Sequence, residues 1–183
     1  QLEGLISTMP QKFLLQLGGA EGAARKFGAS YDDITSDMAS TLDLTAAKHV
    51  WHTDRQSVTN ICFWFSQVST VMGKIAQDVL FMAQTDIGEA RIEGGGFSSA
   101  MPHKKNPDLF ELVRGKCNSL QGLPNQLALL TTNLPSGYHR ELQLAKGPII
   151  DAVQELKSCL DILLFSLPQL RVSQNTTDQK KYD

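Results

Sequence analysis

The sequence predicts an all-α fold in which long helices pack as a bundle. In three segments, apolar residues recur at alternating spacings of four and three, as they do in helices packed nearly parallel to one another. Strand signals are almost absent, and 183 residues with 42% apolar content are enough for one domain with a hydrophobic core. The expected class is a bundle of helices of about thirty residues, roughly 45 Å long.

The first long helix is predicted from about residue 54 to 85. Its apolar stripe consists of Ile61, Phe65, Val68, Met72, Ile75, Val79 and Met82. The second begins at Asn106 and Pro107, because asparagine is a preferred N-cap and proline a preferred first helical residue. Its apolar face consists of Leu109, Val113, Leu120, Leu123, Leu127 and Leu130. Gly122 and Pro124 interrupt this helix, which predicts a bend there.

The third long helix is predicted from about residue 136 to 167, with a bend at Pro148. Its stripe consists of Leu142, Ile149, Val153, Leu156, Leu160, Leu163 and Leu167. In the first fifty residues, 5–17 is predicted as the end of another long helix, and 20–27 and 30–41 as short helices. Apolar stripes on helices this long need large partners, so we expect an oligomeric bundle.

The organisation of the chain suggests part of a longer protein. The sequence lacks an initiator methionine and a signal peptide, and its last residues are polar. We expect residues 1–171 to form a central helical bundle domain and residues 172–183 to lead into a C-terminal domain.

Composition narrows the range of partners and locations. A net charge of −2 gives no reason to expect binding to nucleic acid or to an anionic membrane, and no apolar span is long enough to cross a bilayer. The three cysteines, Cys62, Cys117 and Cys159, lie within helical patterns and are odd in number. We therefore expect reduced core thiols in a cytoplasmic protein.

The segment 94–108 carries the chemistry. It reads Gly-Gly-Gly-Phe-Ser-Ser-Ala-Met-Pro-His-Lys-Lys-Asn-Pro-Asp, which combines flexibility with hydroxyl groups, ammonium groups and an amide. A mobile, cationic loop of this composition suits an enzyme that closes over a dianionic substrate and removes a proton from carbon, where the doubly charged carboxylate that forms must be stabilised. The alternative is a Gly/Ser linker without a catalytic role that happens to carry lysines.

This loop resembles the signature sequence of the fumarase/aspartase superfamily, whose members eliminate fumarate from substituted succinates. The matching residues are Ser98, Ser99, Met101, Pro102, Lys104, Asn106 and Pro107, while Phe97 stands where a glycine is usual. The resemblance implies that Ser98 is the carbon base, with Ser99 the next candidate for that role and a substrate contact. It also implies that Lys104 and Asn106 bind the substrate carboxylate.

Two further resemblances extend the candidate site. Glu111 matches a glutamate that pairs in the superfamily with a histidine of another subunit, although it could be an ordinary charge near a helix start. The segment 133–146 resembles one of argininosuccinate lyase, which implies that Tyr138, Gln143 and Lys146 contact substrate, with Glu141 replacing an aspartate. Alternatively, these three residues belong to the surface of a helix start.

Residues 53–55, Thr-Asp-Arg, resemble a Ser-Asp-Arg of the same family, which implies that Arg55 lines the wall of the site as a substrate-binding residue, although Asp54 could simply cap a helix. Residues 17–20, 51–53 and 101–104 look more like carboxymuconate cycloisomerase, and adenylosuccinate lyase also has the sequence found at 101–104.

The expected function is elimination of fumarate from a small dicarboxylate substrate, chiefly argininosuccinate cleaved to arginine and fumarate. The resemblance implies no metal or organic cofactor and a homotetramer whose sites are shared among three subunits. The histidine-bearing segment that would face Glu111 is not found in this sequence, so the chain alone is expected to be inactive. Carboxymuconate cycloisomerase and adenylosuccinate lyase are the enzymatic alternatives, and a crystallin-like structural or helical assembly protein is the non-enzymatic one.

Overall fold

The computed structural model describes residues 1–9, 13–19, 22, 26–49, 52, 54–93 and 107–173, together with the backbone of 96–97 and 105–106. The described chain is mainly helical, which confirms the all-α class. Its α-helices are α1 (Leu2–Ser7), α2 (Tyr31–Leu42), α3 (Gln56–Met82), α4 (Asp108–Ser119), α5 (Leu123–Leu130) and α6 (Lys146–Ser166). Short 3-10 helices cover Gly28–Ser30, Leu120–Gly122, Arg140–Ala145 and Leu167–Gln169. None of the described helices has the length and hydropathy that a membrane crossing requires.

Short strands form three two-stranded ladders. β1 (Leu14–Leu15) pairs in parallel with β2 (Thr45–Ala46), whereas β3 (Ala90–Ile92) pairs antiparallel with β6 (Leu170–Val172). β4 (Gly96–Phe97) pairs antiparallel with β5 (Lys105–Asn106), so along the chain the two strands flank Ser98, Ser99 and Lys104 of the signature segment. The near absence of strand signals is explained by the length of these strands, since two or three residues leave no periodic pattern.

The first helical prediction, for residues 5–17, was wrong. α1 ends at Ser7, and the backbone of Leu14 and Leu15 is extended because it pairs with Thr45 and Ala46. This long-range pairing overrides the local apolar pattern. The predicted helix 30–41 is confirmed as α2, and most of the predicted helix 20–27 lies outside the described residues.

α3 confirms the first long helix to within a few residues, but its packing face differs from the predicted stripe. Of that stripe, Phe65, Met72 and Val79 are buried, whereas Ile61, Val68, Ile75 and Met82 are only partly so. The most deeply buried positions are Cys62, Ser69 and Ala76, spaced by seven residues. Small side chains at this spacing allow a neighbouring helix to approach closely, and a pattern sought among large apolar residues does not detect them.

The second predicted helix begins two residues later than expected. Asn106 lies in β5, and Pro107 takes the N-cap position, where its carbonyl oxygen accepts hydrogen bonds from the N–H groups of Phe110 and Glu111 at 2.9 and 3.1 Å. Asn106 therefore lies one residue before the cap position, and its backbone pairs with Gly96. The interruption near residue 122 is confirmed, because a 3-10 turn separates α4 from α5 there.

The start of the third long helix was predicted about ten residues too early. α6 starts at Lys146, after a loop that contains Gly137 at φ 104° and a 3-10 turn from 140 to 145. Pro148 therefore lies in the first turn of α6, where its missing N–H has no helical partner to lose, and not at an interior bend. The buried residues of α6 are Ala152, Cys159, Leu163 and Ser166, whereas Val153, Leu160 and Leu167 of the predicted stripe are exposed.

The chain divides into two compact units. Unit 1 contains Gln1–Val68 and Gly122–Ala152, and unit 2 contains Ser69–Gln121 and Val153–Asp183. The domain boundary predicted after residue 171 is not the boundary between these units, and it remains a prediction. Within unit 2, Val172 pairs with Ala90, and an exposed ion pair joins Arg171 to Glu93 at 2.8 Å.

The core of unit 2 contains a pair of free thiols. Cys117 of α4 and Cys159 of α6 are buried, with their Sγ atoms 3.9 Å apart, and Cys62 in unit 1 is also free and buried. Burial raises the pKa of the Cys62 thiol to about 11, and burial with a contribution from Cys159 raises the pKa of Cys117 to about 12. All three cysteines therefore lie in the core, as their positions in the helical patterns predicted.

Candidate active site

Unit 1 brings three of the predicted ligand-binding residues into one cluster with a fourth residue that the sequence did not indicate. The cluster forms around the loop between α5 and the 3-10 turn at 140–145. Two positive φ angles shape this loop, 62° at Asn133 and 104° at Gly137. Asparagine tolerates the left-handed region, and at Gly137 a side chain would be strained, so these residues favour the turn that presents Tyr138.

Arg55 holds this loop from the segment that precedes α3. Its side chain is only 8% exposed, and its Nη2 atom donates a 2.6 Å hydrogen bond to the carbonyl oxygen of Gly137. Its Nε atom is buried as well and has no hydrogen-bond partner among the described residues. Next to it, Asp54 Oδ1 accepts a 3.1 Å hydrogen bond from the N–H of Gln56, which forms an Asx turn directly before α3. The cap position considered for this aspartate belongs to Arg55, whose carbonyl oxygen accepts the first helical hydrogen bonds from Val58 and Thr59.

Tyr138 makes contacts on two sides. The ring of His52, which is 3% exposed, meets the tyrosine ring edge to face at a centroid distance of 5.5 Å and an interplanar angle of 87°. Gln143 Nε2 donates a 3.0 Å hydrogen bond to the phenol oxygen. Tyr138 itself is 47% exposed, so about half of this residue remains accessible to a ligand.

His52 was not assigned a role from the sequence. A lone histidine carries little signal, and the contact with Tyr138 joins positions far apart in the chain. The one local indication of a role for His52 is its position three residues before Arg55, because both side chains contact the same loop. Lys146, the last of the predicted contacts here, is exposed at the first residue of α6.

The signature segment is described only at its edges. Ser98, Ser99 and Lys104 lie outside the described residues, and Asn106 is described by its backbone alone. Glu111 belongs to unit 2, where it is exposed in the first turn of α4. The predicted roles of these five residues therefore remain predictions.

The cations that follow Glu111 in α4 have partners within unit 2. Arg114 Nη1 donates to Gln77 Oε1 at 3.1 Å, and Lys116 forms an ion pair with Glu155 of α6. These contacts tie α4 to its neighbours, so the two cations have a structural use.

Each unit has a cavity, although the linings include none of the predicted site residues. In unit 1, a cavity of about 250 Å³ includes Gln16, Lys48, His49, Asp54 and Ser57 in its lining. In unit 2, a cavity of about 320 Å³ is lined by Ala83, Ala90, Arg91, Ile92, Glu93 and Pro107. The second cavity lies where the chain enters and leaves the signature segment. Within the described residues, no three His, Cys, Asp or Glu side chains are grouped as a metal site would require.

Comparison with known families identifies the class. Residues 2–122, about two thirds of the chain, match a family model described as Lyase, which represents the fumarase/aspartase superfamily. The chain belongs to this lyase family, and the resemblance noted in the signature segment is confirmed.

Argininosuccinate lyases are among the similar proteins. The enzyme of Bacteroides fragilis is 40% identical over 125 residues, which cover 67% of this chain and 28% of the relative. That of Parabacteroides distasonis is 34% identical over 168 residues, which cover 88% of this chain and 37% of the relative. The chain thus spans about a third of the length of these proteins.

Solved structures of similar fold cover nearly the whole chain. The 3-carboxy-cis,cis-muconate lactonizing enzyme from Pseudomonas putida matches with a TM-score of 0.75 and 23% identity, covering 93% of this chain and 38% of that one. The fumarate lyase:delta crystallin from Brucella melitensis matches with a TM-score of 0.70 and 17% identity, covering 94% and 40%. At these identities the likeness is one of fold alone.

Proposed function

We propose that this chain is the central part of a C–N lyase that cleaves argininosuccinate to arginine and fumarate. The observation that carries the proposal is the cluster of Arg55, Tyr138 and Gln143, three residues chosen for their match to argininosuccinate lyase that lie together in unit 1. The identities of 34% and 40% to argininosuccinate lyases support the same substrate.

The proposed reaction is a β-elimination through a carbanion. Ser98 removes a proton from the succinyl carbon, the C–N bond then breaks, and the nitrogen leaves with a proton as part of arginine. Lys104 and Asn106 stabilise the doubly charged carboxylate of the intermediate, with Ser99 beside it. Glu111 pairs with a histidine of another subunit, and Tyr138, Gln143 and Lys146 orient the rest of the substrate through a phenol, an amide and an ammonium.

The proposed assembly is a homotetramer in the cytoplasm. Within unit 2, α6 exposes Val153, Leu160, Leu164 and Phe165, the last two at 64% and 65%. Large exposed apolar side chains along one helix support burial against other subunits. The free, buried thiols support a reducing compartment.

A carboxymuconate-type cycloisomerase is the second candidate. The sequences at 17–20 and 51–53, which look like this enzyme, favour it, and the same carbanion chemistry would act on a C–O bond. An adenylosuccinate lyase-like enzyme would use the same loop on another leaving group. A crystallin-like structural or helical assembly protein is the non-enzymatic candidate, and Ser98, Lys104 and Asn106 in the signature segment argue against it.

A substrate panel on the full-length protein tests these candidates. Fumarate release is followed by ultraviolet absorbance with argininosuccinate and with adenylosuccinate, beside turnover of carboxymuconate. We expect argininosuccinate to be cleaved, and turnover of carboxymuconate alone would replace the proposal with the cycloisomerase. The 183-residue chain by itself is expected to release no fumarate, because it has no segment to supply the histidine that faces Glu111.

A further inference from the structure

We propose that Arg55 and His52 are positioning residues that act through Tyr138, so that Arg55 supports the site without contacting the substrate. The inference rests on the function proposed above and changes the role that the sequence gives to Arg55. It follows from three contacts within unit 1, each of which fixes a different part of the tyrosine.

The first contact fixes the backbone. The Gly137 carbonyl that accepts the 2.6 Å hydrogen bond from Arg55 belongs to the peptide bond that joins Gly137 to Tyr138. A charged donor to a carbonyl forms one of the stronger kinds of hydrogen bond, and burial of Arg55 keeps water from competing for it. Gly137 adopts φ 104°, a sparsely populated backbone conformation. The hydrogen bond to its carbonyl oxygen holds the turn in this conformation and so fixes the position of the Tyr138 backbone.

The second contact fixes the ring. His52 meets Tyr138 edge to face, an arrangement that aromatic pairs prefer, and its burial leaves it little room to move. His52 and Arg55 are three residues apart in the segment before α3. One short stretch of chain therefore holds both the peptide and the ring of the same tyrosine.

The third contact directs the hydroxyl group. Because Gln143 Nε2 donates to the phenol oxygen, the phenol hydrogen must point to another acceptor. With the ring half exposed, that acceptor can be a ligand, such as a carboxylate oxygen of the substrate. Tyr138 then acts as an oriented donor whose backbone and ring are held by Arg55 and His52, which do not touch the ligand.

A double-mutant cycle on the full-length enzyme separates positioning from direct contact. Misplacing a group by about 1 Å can cost on the order of 10²-fold, so Arg55→Met and His52→Ala should each lower kcat/KM by up to about that factor. In a Tyr138→Phe background the same changes should cost less than about threefold, since the donor they orient is gone. His52→Phe keeps an aromatic edge and should restore most of the activity that His52→Ala loses.

Additive losses would overturn the proposal. If Arg55 contacts the substrate directly, for example through its buried Nε, Arg55→Met should cost as much in the Tyr138→Phe background as in the wild type. Such additivity, in variants whose circular dichroism matches the wild type, would return Arg55 to the substrate-binding residues.

Hydrogen exchange tests the same idea without activity. Amide exchange of the segment 133–145 should be at least several-fold faster in Arg55→Met than in the wild type, and unchanged in Arg171→Met, which removes an exposed arginine of unit 2. An unchanged rate in Arg55→Met would refute the positioning role. Should this variant fail to fold, Arg55→Lys, which loses the planar fork, takes its place with the same expectation. A protein inactive on every substrate but with this exchange pattern would refute the proposed function and leave the positioning role standing.

Discussion

Ser98 is the side chain on which the proposed chemistry depends most. As the carbon base it acts in the transition state and not in binding, so Ser98→Ala in the full-length enzyme should lower kcat by about 10³-fold or more with little change in KM. The measurement is steady-state fumarate release. Ser119→Ala, which removes an exposed hydroxyl group from α4, is the matched control and should retain wild-type rates. A loss below about tenfold for Ser98→Ala would move the base elsewhere, with Ser99 the next candidate.

Lys146 should behave differently from Ser98. It is exposed at the first residue of α6, where its ammonium and the positive end of the helix together favour a substrate carboxylate. Such a contact holds in both ground and transition states, so Lys146→Met should raise KM by about ten- to hundredfold and leave kcat nearly unchanged. Lys157→Met, at an exposed ion pair with Asp161 in the same helix, provides the comparison. An unchanged KM for Lys146→Met would count against argininosuccinate as substrate.

At this scale the sequence predicted part of the candidate site and missed another part for a physical reason. Arg55, Tyr138 and Gln143 were predicted because each stands in a short recognisable motif, and the structure brings them together, while their contacts with substrate remain predictions. His52 was missed because its contact with Tyr138 depends on how the loop after α5 folds back, which no local pattern encodes.

Among the elements, long helices were predicted well and their first turns poorly. The centre of α3 follows from sustained periodicity, whereas the start of α6 depends on Gly137 and on Pro148, which is as compatible with a first turn as with a bend. The strand at Leu14 could not be predicted, because it exists through pairing with Thr45 thirty-one residues away. The buried faces were mistaken for the same kind of reason, since small residues such as Ala76 carry the packing.

Gly73 provides a test of that close packing. A Cβ atom at this position of α3 would lie 3.1 Å from the Cβ of Cys117, an atom attached directly to the backbone of α4 that cannot rotate away. Gly73→Val should therefore lower the free energy of unfolding by about 1–3 kcal/mol. Gly115→Val is the matched control, because nothing lies within 4 Å of a Cβ there, and its effect should stay within about 0.5 kcal/mol. Equal effects in urea unfolding of the full-length protein would show that the α3–α4 contact is loose.

For the whole molecule, the exposed apolar side chains of α6 determine the expected association. Leu160→Glu combined with Leu164→Glu places two charges where the proposed tetramer buries leucine, at positions 48% and 64% exposed in the single chain. We expect the full-length double variant to sediment as a smaller species than the wild type. Gln154→Glu, at an exposed position of the same helix, adds a charge of the same sign and should leave the assembly intact. A double variant that keeps the wild-type mass would place the subunit contact elsewhere.

The buried thiols should make the free energy of unfolding fall with rising pH in the alkaline range. Because the folded protein keeps the Cys117 pKa near 12, the unfolded chain loses this proton first, and the free energy of unfolding should fall from about pH 9 upward. The slope is about 1.4 kcal/mol per pH unit for each such thiol. Urea midpoints of the full-length protein at about pH 8 and pH 10.5 measure it, and Cys117→Ala should show a smaller fall than the wild type. Identical falls would mean that Cys117 titrates normally in the folded state.

The ladder between β3 and β6 also constrains the order of folding. Its two strands, at Ala90–Ile92 and Leu170–Val172, are separated by nearly eighty residues. All of the intervening chain must therefore be synthesised before the two strands can pair. Closing so large a loop is entropically costly, which places this step late. Because Glu93 stands at the entrance to the signature segment and bonds through its backbone N–H to Gln169, that entrance becomes anchored only once the ribosome has released residue 169 from its exit tunnel.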